Sequence, residues 1–270
     1  MIRPKKHLGQ HFLRDENIAQ KIVSYLNPDY PLVLEVGPGM GVLTKYILAN
    51  PSADAWFMEV DHESVNYLRS AYPRISDRLI LADFLNFDFR KFPASPAAED
   101  ADPGLPAVQP SFTVIGNFPY NISSQILFKA LENRNRIPEV IGMFQKEVAE
   151  RIAAPPGNRT YGIISVLLQA FYNIEYLFTV EASVFYPPPK VKSAVIRLRR
   201  NKTEKLDCDE AFFVRVVKMA FNQRRKTLRN ALRELTGSVP THEMPVFDLR
   251  AEQLSVNDFV RLAREISTFA

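Results

Sequence analysis

The sequence has very little cysteine and no long apolar run. Its single cysteine, Cys208, excludes an intramolecular disulfide and a zinc site built from a cysteine cluster. No apolar run approaches the ~18 residues that a membrane-spanning helix requires. The charged N-terminus is followed by the polar residues Gly9, Gln10 and His11 and not by the apolar region of a signal peptide. We therefore expect a cytoplasmic protein without a membrane anchor.

The composition is typical of a globular protein, and the charge is unevenly distributed along the chain. The 270 residues are 46% hydrophobic and 24% charged, which is enough for a sizeable core in one large and one smaller domain. Residues 181–270 contain 17 Lys and Arg against 11 Asp and Glu, a net charge of +6, whereas the first 180 residues contain 17 against 19, a net charge of -2. The basic C-terminal third favours a polyanionic partner, although ordinary solvated helices also carry such an imbalance.

A glycine-rich loop follows the first apolar run. Residues 32–36 (Leu-Val-Leu-Glu-Val) predict a buried parallel strand, and Gly37, Gly39 and Gly41 follow before a helical pattern begins. Such a loop lets a ligand lie against backbone amides and a helix N-terminus. A dinucleotide-binding fold is the alternative, but Val42 stands where the dinucleotide fingerprint has its third glycine. The spacing favours the loop of S-adenosylmethionine enzymes.

Acidic residues end the next two predicted strands. Residues 55–58 lead to Glu59 and Asp61, and residues 79–82 lead to Asp83. In doubly wound folds a carboxylate at the end of the second strand accepts hydrogen bonds from ribose hydroxyls, for which Glu59 is the first candidate and Asp61 the alternative. Asp83 is placed to accept from an adenine amine. Each acid alone could be a helix cap or a solvated loop residue, but together they predict a nucleoside-type cofactor.

The fourth predicted strand ends in Asn-Phe-Pro-Tyr at residues 117–120. The amide oxygen of Asn117 can accept from an exocyclic amine, the ring of Pro119 fixes the backbone locally, and Tyr120 offers a face for stacking. A polar turn after a core strand is the alternative interpretation. Ligands of open α/β sheets bind at the carboxyl edge, where this motif meets the glycine loop and the acids, and this favours the functional interpretation.

Two proline-rich segments follow different patterns. Residues 185–191 (Phe-Tyr-Pro-Pro-Pro-Lys-Val) predict an extended loop that could present Phe185 as a ring facing Tyr120 across a slot, with a stiff connector as the alternative. Residues 92–109 are rich in proline, alanine and acids without periodicity, which predicts a mobile surface loop. We assign that loop no function.

The C-terminal residues predict helices with one basic face. Helical periodicity over residues 210–221 and again over residues 228–235 places apolar residues on the inner face. The opposite face carries a group of cations that we call the basic stripe: Arg224, Arg225, Lys226, Arg229 and Arg233. Such a stripe is typical of contacts to a phosphate backbone, and a solvated helix face is the alternative. We expect a first domain at residues 1–200 and a helical RNA-binding domain at residues 201–270.

Taken in order, these motifs resemble one family over nearly the whole chain. The motifs are Gln-His-Phe-Leu at residues 10–13, Glu-Val-Gly-Pro-Gly-Met-Gly-Val-Leu-Thr at 35–44, Glu59, Asp83, residues 117–120, residues 185–191 and Phe-Asn-Gln-Arg-Arg-Lys-Thr-Leu at 221–228. The chain resembles the ribosomal RNA adenine N6,N6-dimethyltransferases, and among them the bacterial small-subunit enzymes. Phe118 departs from the Leu or Ile of many relatives, and we expect its side chain to point into the core.

The resemblance implies a fold, a cofactor and a site. The fold is an α/β Rossmann-like sheet of the S-adenosylmethionine-dependent methyltransferases with a smaller C-terminal helical domain. The residues implied to bind S-adenosylmethionine are His11, Leu13, Gly37, Glu59, Asp83 and Asn117, with Gln10 and Gly39 beside them. The implied substrate is a pair of adjacent adenosines near the 3′ end of small-subunit ribosomal RNA, within a precursor small ribosomal subunit, and we expect a monomer.

The predicted reaction is an in-line displacement that needs no metal and no covalent nucleophile. Asn117 and the carbonyl of Pro119 would orient the adenine N6, and Tyr120 and Phe185 would stack on the extruded base. Two other functions remain open at this point. One is a DNA adenine methyltransferase, in which an Asn-Pro-Tyr type of motif holds the adenine amine in the same way. The other is a non-catalytic ribosome assembly factor that uses only the basic stripe.

Overall fold

The computed structural model describes residues 4–5, 8–92, 110–237 and 239–269. The predicted loop at residues 92–109 therefore lies, apart from Phe92, outside the described residues. Within the described ranges no helix has the length and apolar character needed to cross a bilayer. The chain divides into two compact units, Met1–Lys146 with Glu175–Arg200, and Glu147–Ile174 with Asn201–Ala270.

The first unit is built on a mixed seven-stranded sheet. The strands of the chain are β1 (Phe12–Leu13), β2 (Leu32–Val36), β3 (Asp54–Glu59), β4 (Leu79–Leu81), β5 (Thr113–Asn117), β6 (Glu139–Gln145), β7 (Tyr172–Val180), β8 (Phe185–Tyr186) and β9 (Ser193–Arg200). The large sheet has the order β4-β3-β2-β5-β6-β9-β7, and β1 pairs with β8 in a separate two-stranded sheet. The predicted α/β architecture is confirmed.

The central strands are parallel, so their carboxyl ends share one edge. β2 lies between β3 and β5, and residues from all of these strands pair in parallel register, with Glu35 opposite Phe57 on one side and Ile115 on the other. All five residues of β2 are buried, which fits its nearly continuous apolar sequence. The chain reverses the direction of sheet growth at β2, and such a reversal marks the usual ligand site of an open α/β sheet.

Helices pack on this sheet and begin where side chains cap them. The α-helices of the first unit are α1 (Glu16–Val23), α2 (Thr44–Ala49), α3 (His62–Ala71) and α4 (Ser123–Glu132), and its 3₁₀ helices are Pro73–Arg78, Phe89–Lys91 and Ala182–Val184. The side chain of Asp15 accepts from Ile18 N at 3.0 Å and caps α1, and Asp61 caps α3 in the same way. Ile22, Ile47, Phe57 and other apolar side chains form the buried core.

The second unit is helical. Its α-helices are α5 (Lys146–Ala153, of which Lys146 belongs to the first unit), α6 (Ile163–Gln169), α7 (Glu210–Asn222), α8 (Leu228–Ala231), α9 (Arg233–Thr236) and α10 (Val256–Ser267), with 3₁₀ helices at Thr241–Glu243, Pro245–Asp248 and Ala251–Gln253. α6, α7 and α10 pack on one another around Phe213, Phe221 and Phe259.

Two details of the second unit differ from the sequence-based expectation. The helix expected over residues 228–235 is two short helices separated at Leu232. Residues 147–174 also lie in the second unit, so its helices come from two separate parts of the chain and not only from the residues after position 200.

Candidate active site

A cavity of about 250 Å³ opens at the carboxyl ends of β2, β3 and β5 in the first unit. It collects residues from almost every motif that the sequence singled out. Its predicted site residues are Gln10, His11, Gly37, Gly39, Glu59, Asp83, Asn117, Pro119 and Tyr120. Four of the five stretches follow or end strands β2 to β5, whose parallel register brings them together. The fifth, with Gln10 and His11, precedes β1 and is joined to them by the hydrogen bond from Asn117 to the His11 carbonyl.

The glycine loop forms one wall of this cavity. Gly39 has a φ of +56°, and a Cβ at that position would lie 3.0 Å from the ring of Phe12. The Gly39 N–H donates to Glu59 Oε2 at 3.0 Å, so the loop is fixed to the end of β3. A side chain at Gly39 would disturb both the left-handed backbone and the contact with Phe12.

Glu59, at the end of β3, lines the cavity. Its Oε1 accepts from the N–H groups of Val60 and Asp61, each at 2.9 Å, and its Oε2 accepts from Gly39. These bonds use three of about four lone-pair sites and leave one for a ligand hydroxyl. Burial raises the pKa of the Glu59 carboxyl, and the three backbone donors oppose that shift.

Asp61, the alternative acid, has a structural role. It is not among the residues that line the cavity, and its carboxylate caps α3 and accepts from Lys5 Nζ and from Ser64 Oγ at 3.0 Å. Burial acts to raise the pKa of Asp61, but the hydrogen bonds from Lys5, Ser64 and the Glu63 N–H outweigh it and lower the pKa. The structure therefore favours Glu59 over Asp61 as the candidate for contact with a ribose.

Asp83 follows β4 and lines the cavity beside Phe84 and Leu85. Its Oδ1 accepts from Leu85 N at 2.9 Å and its Oδ2 accepts from Asn86 Nδ2 at 2.6 Å. Each oxygen keeps a further lone pair, so the carboxylate is held in one orientation and can still accept from an amine.

The side chain of Asn117 is oriented by the backbone of His11. Asn117 Nδ2 donates to the His11 carbonyl at 2.8 Å. A carbonyl can only accept, so this bond assigns the nitrogen and oxygen of the amide and leaves Oδ1 as the free acceptor. No residue within the described ranges donates to Oδ1. The arrangement suits an amine donor in the cavity.

His11 is held on both sides. Its Nδ1 lies 2.7 Å from the Pro187 carbonyl, and because a carbonyl only accepts, Nδ1 carries the proton. Its ring stacks on Tyr120 with centroids 5.4 Å apart and an interplanar angle of 28°. One face of Tyr120 is therefore covered by His11, and a stacked base would use the other face.

Tyr120 is further fixed by its hydroxyl, which hydrogen-bonds Ser193 Oγ. Burial raises the pKa of this phenol, and the bond with Ser193 opposes the shift. Phe118 is only 1% exposed and lies over Gly116 and Gly142, where an added Cβ would come within 2.7 and 2.3 Å of its ring. This confirms the expectation that Phe118 points into the core.

Phe185 is not brought to the cavity. It pairs with Leu13 across the β1–β8 ladder, and both side chains lie in the hydrophobic core, 3% and 4% exposed. Their position follows from the ladder, since directly paired residues point to the same face. Leu13 lies beside a smaller crevice that it shares with Gly37 and Asn117. The expected slot between Phe185 and Tyr120 is therefore absent from the described residues.

The sequence reasoning missed Glu35 as a site residue. Glu35 is 1% exposed, lies in the middle of the apolar strand β2, and accepts from Thr44 Oγ1 at 2.7 Å. Burial raises the pKa of this carboxyl to about 8, the bond from Thr44 opposes the shift, and the charge of Glu59 adds to it. An acid inside an otherwise apolar strand was the available signal, because such a group is rarely buried without a partner.

The basic stripe in the second unit is only partly free. Arg224 donates to the Arg159 and Tyr161 carbonyls, and Arg229 pairs with Asp248 at 2.6 Å. Arg225, Lys226 and Arg233 are exposed, and no partner for them occurs in the described part of the chain. Two of the five cations thus support the local structure.

Nearly the whole chain is similar to proteins of one family. The family model for ribosomal RNA adenine dimethylase matches residues 1–267. The protein named ribosomal RNA small subunit methyltransferase A of Cytophaga hutchinsonii is 54% identical over 268 residues, which cover 98% of each chain. The protein of the same name from Bacteroides thetaiotaomicron is 52% identical over 270 residues, covering 98% of this chain and 95% of that one.

Two crystal structures share the fold. A dimethyladenosine transferase from Plasmodium falciparum has a TM-score of 0.71 at 22% identity, covering 96% of this chain and 98% of that one. The 23S rRNA methyltransferase ErmE has a TM-score of 0.62 at 24% identity, covering 95% and 99%. These structural similarities establish the Rossmann-like fold, and the sequence matches establish the family and the type of enzyme. The chain belongs to the ribosomal RNA adenine dimethylase family and is an S-adenosylmethionine-dependent methyltransferase.

Proposed function

We propose that this protein dimethylates the N6 amines of two adjacent adenosines near the 3′ end of small-subunit ribosomal RNA, within a precursor small ribosomal subunit in the cytoplasm. The observation that carries the proposal is the fixed amide of Asn117, whose free Oδ1 lies in the same cavity as Glu59 and Asp83. Two close relatives are named as methyltransferases of the small-subunit RNA, which supports the choice of substrate.

The residues of the cavity fit S-adenosylmethionine. Glu59 keeps one lone-pair site for a ribose hydroxyl, and Asp83 can accept from the adenine amine. A Cβ at Gly37 would meet no atom within 4 Å, so the loop is open there to the methionine end. We assign Gln10, His11 and Leu13 to the same site as its flanking wall. When bound, S-adenosylmethionine would supply a methyl group on a sulfonium: the N6–C bond would form as the C–S bond breaks, S-adenosylhomocysteine would leave, and N6 would lose one proton to solvent.

Residues 117–120 orient the target adenine. The lone pair of an adenine N6 is delocalised into the ring, so the amine must be held while it is turned toward the methyl group. Asn117 Oδ1 and the Pro119 carbonyl accept hydrogen bonds from the two N–H groups of N6. The Pro119 carbonyl also accepts from Ile122 N at 3.2 Å and uses its second lone pair for N6. Tyr120 stacks on the base with the face that His11 leaves open.

Exposed cations of the second unit form the RNA contact of this proposal. Arg225, Lys226 and Arg233 contact phosphates, while Arg224 and Arg229 stabilise the surface that presents them and retain further N–H donors. Replacing Lys226 by Gln should lower the salt dependence of particle binding by about one counterion, equally for all sequences. An unchanged salt slope would remove Lys226 from the interface.

The proposal is tested by measuring methyl transfer to alternative acceptors. Wild-type protein and the Asn117→Ala variant are incubated with labelled S-adenosylmethionine and either unmethylated small-subunit particles or duplex DNA. We expect label only in the particles and only with the wild type. Label in duplex DNA indicates a DNA adenine methyltransferase, and an Asn117→Ala variant that keeps both transfer and particle binding removes Asn117 from the reaction.

A further inference from the structure

A second cavity of the first unit has no role in the reaction described above. It encloses about 340 Å³ between β1, the glycine loop and α3. We call it the tyrosine groove and define it by Tyr67, Tyr72, Tyr186, Arg14 and Lys45. Phe12 lines both this groove and the cofactor cavity, so the two sites are neighbours.

The charges in the tyrosine groove leave one cation available. Lys45 Nζ pairs with Glu16 Oε2 at 2.5 Å, which neutralises both groups. The guanidinium of Arg14 lies 4.2 Å from the ring centroid of Tyr186, and no carboxylate of the described residues pairs with it. Arg14 is exposed and Tyr186 is 44% exposed. The groove therefore offers a net positive charge beside aromatic faces.

One of the aromatic walls is held rigidly. The Tyr72 hydroxyl donates to the Gly41 carbonyl at 3.2 Å, and a Cβ at Gly41 would lie 2.6 Å from the Tyr72 ring. The ring is thus packed directly on the loop that binds the cofactor. A wall that is fixed before the ligand arrives costs little conformational entropy on binding.

We propose that the tyrosine groove binds a nucleotide that flanks the target adenosine in single-stranded RNA. This inference rests on the proposed function, which requires that an RNA strand continue on both sides of the base in the cavity. Aromatic rings and arginine planes stack on unpaired bases, and a guanidinium without a carboxylate partner binds phosphate. Because Phe12 lines both cavities, a nucleotide in the groove would lie next to the target adenosine.

Steady-state transfer to small-subunit particles tests the groove in the full-length protein. We expect Tyr186→Leu and Arg14→Gln to raise the KM for particles about ten-fold, as the loss of one stacked base does, with kcat and the Kd for S-adenosylmethionine unchanged. Arg69→Gln, which removes an exposed cation from α3, is the matched control and should behave as wild type. Unchanged KM values for both groove variants, or a changed cofactor Kd, overturn the inference.

A binding cycle separates the groove from the reaction. The probe is a short single-stranded RNA with two adjacent adenosines, in which each flanking nucleotide is replaced in turn by an abasic residue. At one position the abasic residue should weaken wild-type binding about ten-fold and leave Tyr186→Leu unaffected. Equal losses in both proteins refute the groove. The binding cycle contains no cofactor, so its result does not depend on methyl transfer. If the wild-type protein shows this binding pattern but does not methylate small-subunit particles in the transfer assay, the proposed function is refuted and the groove proposal is kept.

Discussion

Replacing Asn117 by Asp changes one donor into an acceptor at almost constant shape. In the wild type, Nδ2 donates to the His11 carbonyl at 2.8 Å. In the variant, an oxygen faces that carbonyl, so the side chain must either take up a proton or turn away. Leaving the partly buried carbonyl without a donor costs about 1–3 kcal/mol of unfolding free energy.

The same substitution should affect transfer more than binding. Once the amide no longer fixes Oδ1, the N6 amine loses its orientation, and a misplacement of about 1 Å costs roughly 100-fold in rate, or about 2.7 kcal/mol of activation free energy. We expect a single-turnover rate at least about 100-fold lower, with particle affinity kept.

The assay for this prediction pairs single-turnover methylation with urea denaturation. Asn66→Asp, on the exposed face of α3, makes the same chemical change away from the cavity and should leave both the rate and the stability near wild type. Wild-type rates for Asn117→Asp would show that the amide nitrogen does not orient the reaction.

The remaining predictions concern the cofactor wall and the buried acid. Glu59→Gln offers fewer acceptors to three backbone N–H donors, so calorimetry should show at least about ten-fold weaker binding of S-adenosylmethionine with RNA affinity kept, and the reverse division would contradict the assignment. Gly41→Ala, at a φ of +80° and against Tyr72, should lower the urea-measured unfolding free energy by about 1–3 kcal/mol, whereas an unchanged midpoint would contradict the packing. Glu35 has a folded pKa of about 8 against an ordinary 4.5, so its contribution to stability is complete below pH 4.5 and is lost as the pH rises to about 8. Glu35→Gln should therefore flatten the fall in stability over that range, and equal slopes in both proteins would refute the shift.

The sequence was sufficient to predict most of the cavity. Parallel strands align their carboxyl ends, so residues that follow such strands meet at one edge whatever their separation in sequence. This is why Glu59, Asp83 and Asn117 could be grouped before their distances were known. The choice between Glu59 and Asp61 needed the structure, because it depends on a contact with Lys5 that lies 56 residues away in sequence.

Other features depend on tertiary pairing that local patterns do not contain. Phe185 was expected at the base-binding face, but its pairing with Leu13 turns it into the core. Arg224, one of the two engaged cations of the basic stripe, is held by the carbonyls of Arg159 and Tyr161, which the helical pattern could not show. The strand pattern of residues 32–36 indicated that Glu35 is buried, but its hydrogen bond from Thr44 depends on packing that the pattern does not contain.

Mapping the modified nucleotides tests the proposed function most directly. Unmethylated small-subunit particles are incubated with the wild-type protein and labelled S-adenosylmethionine, and the RNA is then digested and sequenced by mass spectrometry. The proposed function predicts N6,N6-dimethyladenosine at two adjacent adenosines near the 3′ end of the RNA. Label at a different kind of nucleotide, at scattered adenosines, or at no position would contradict it.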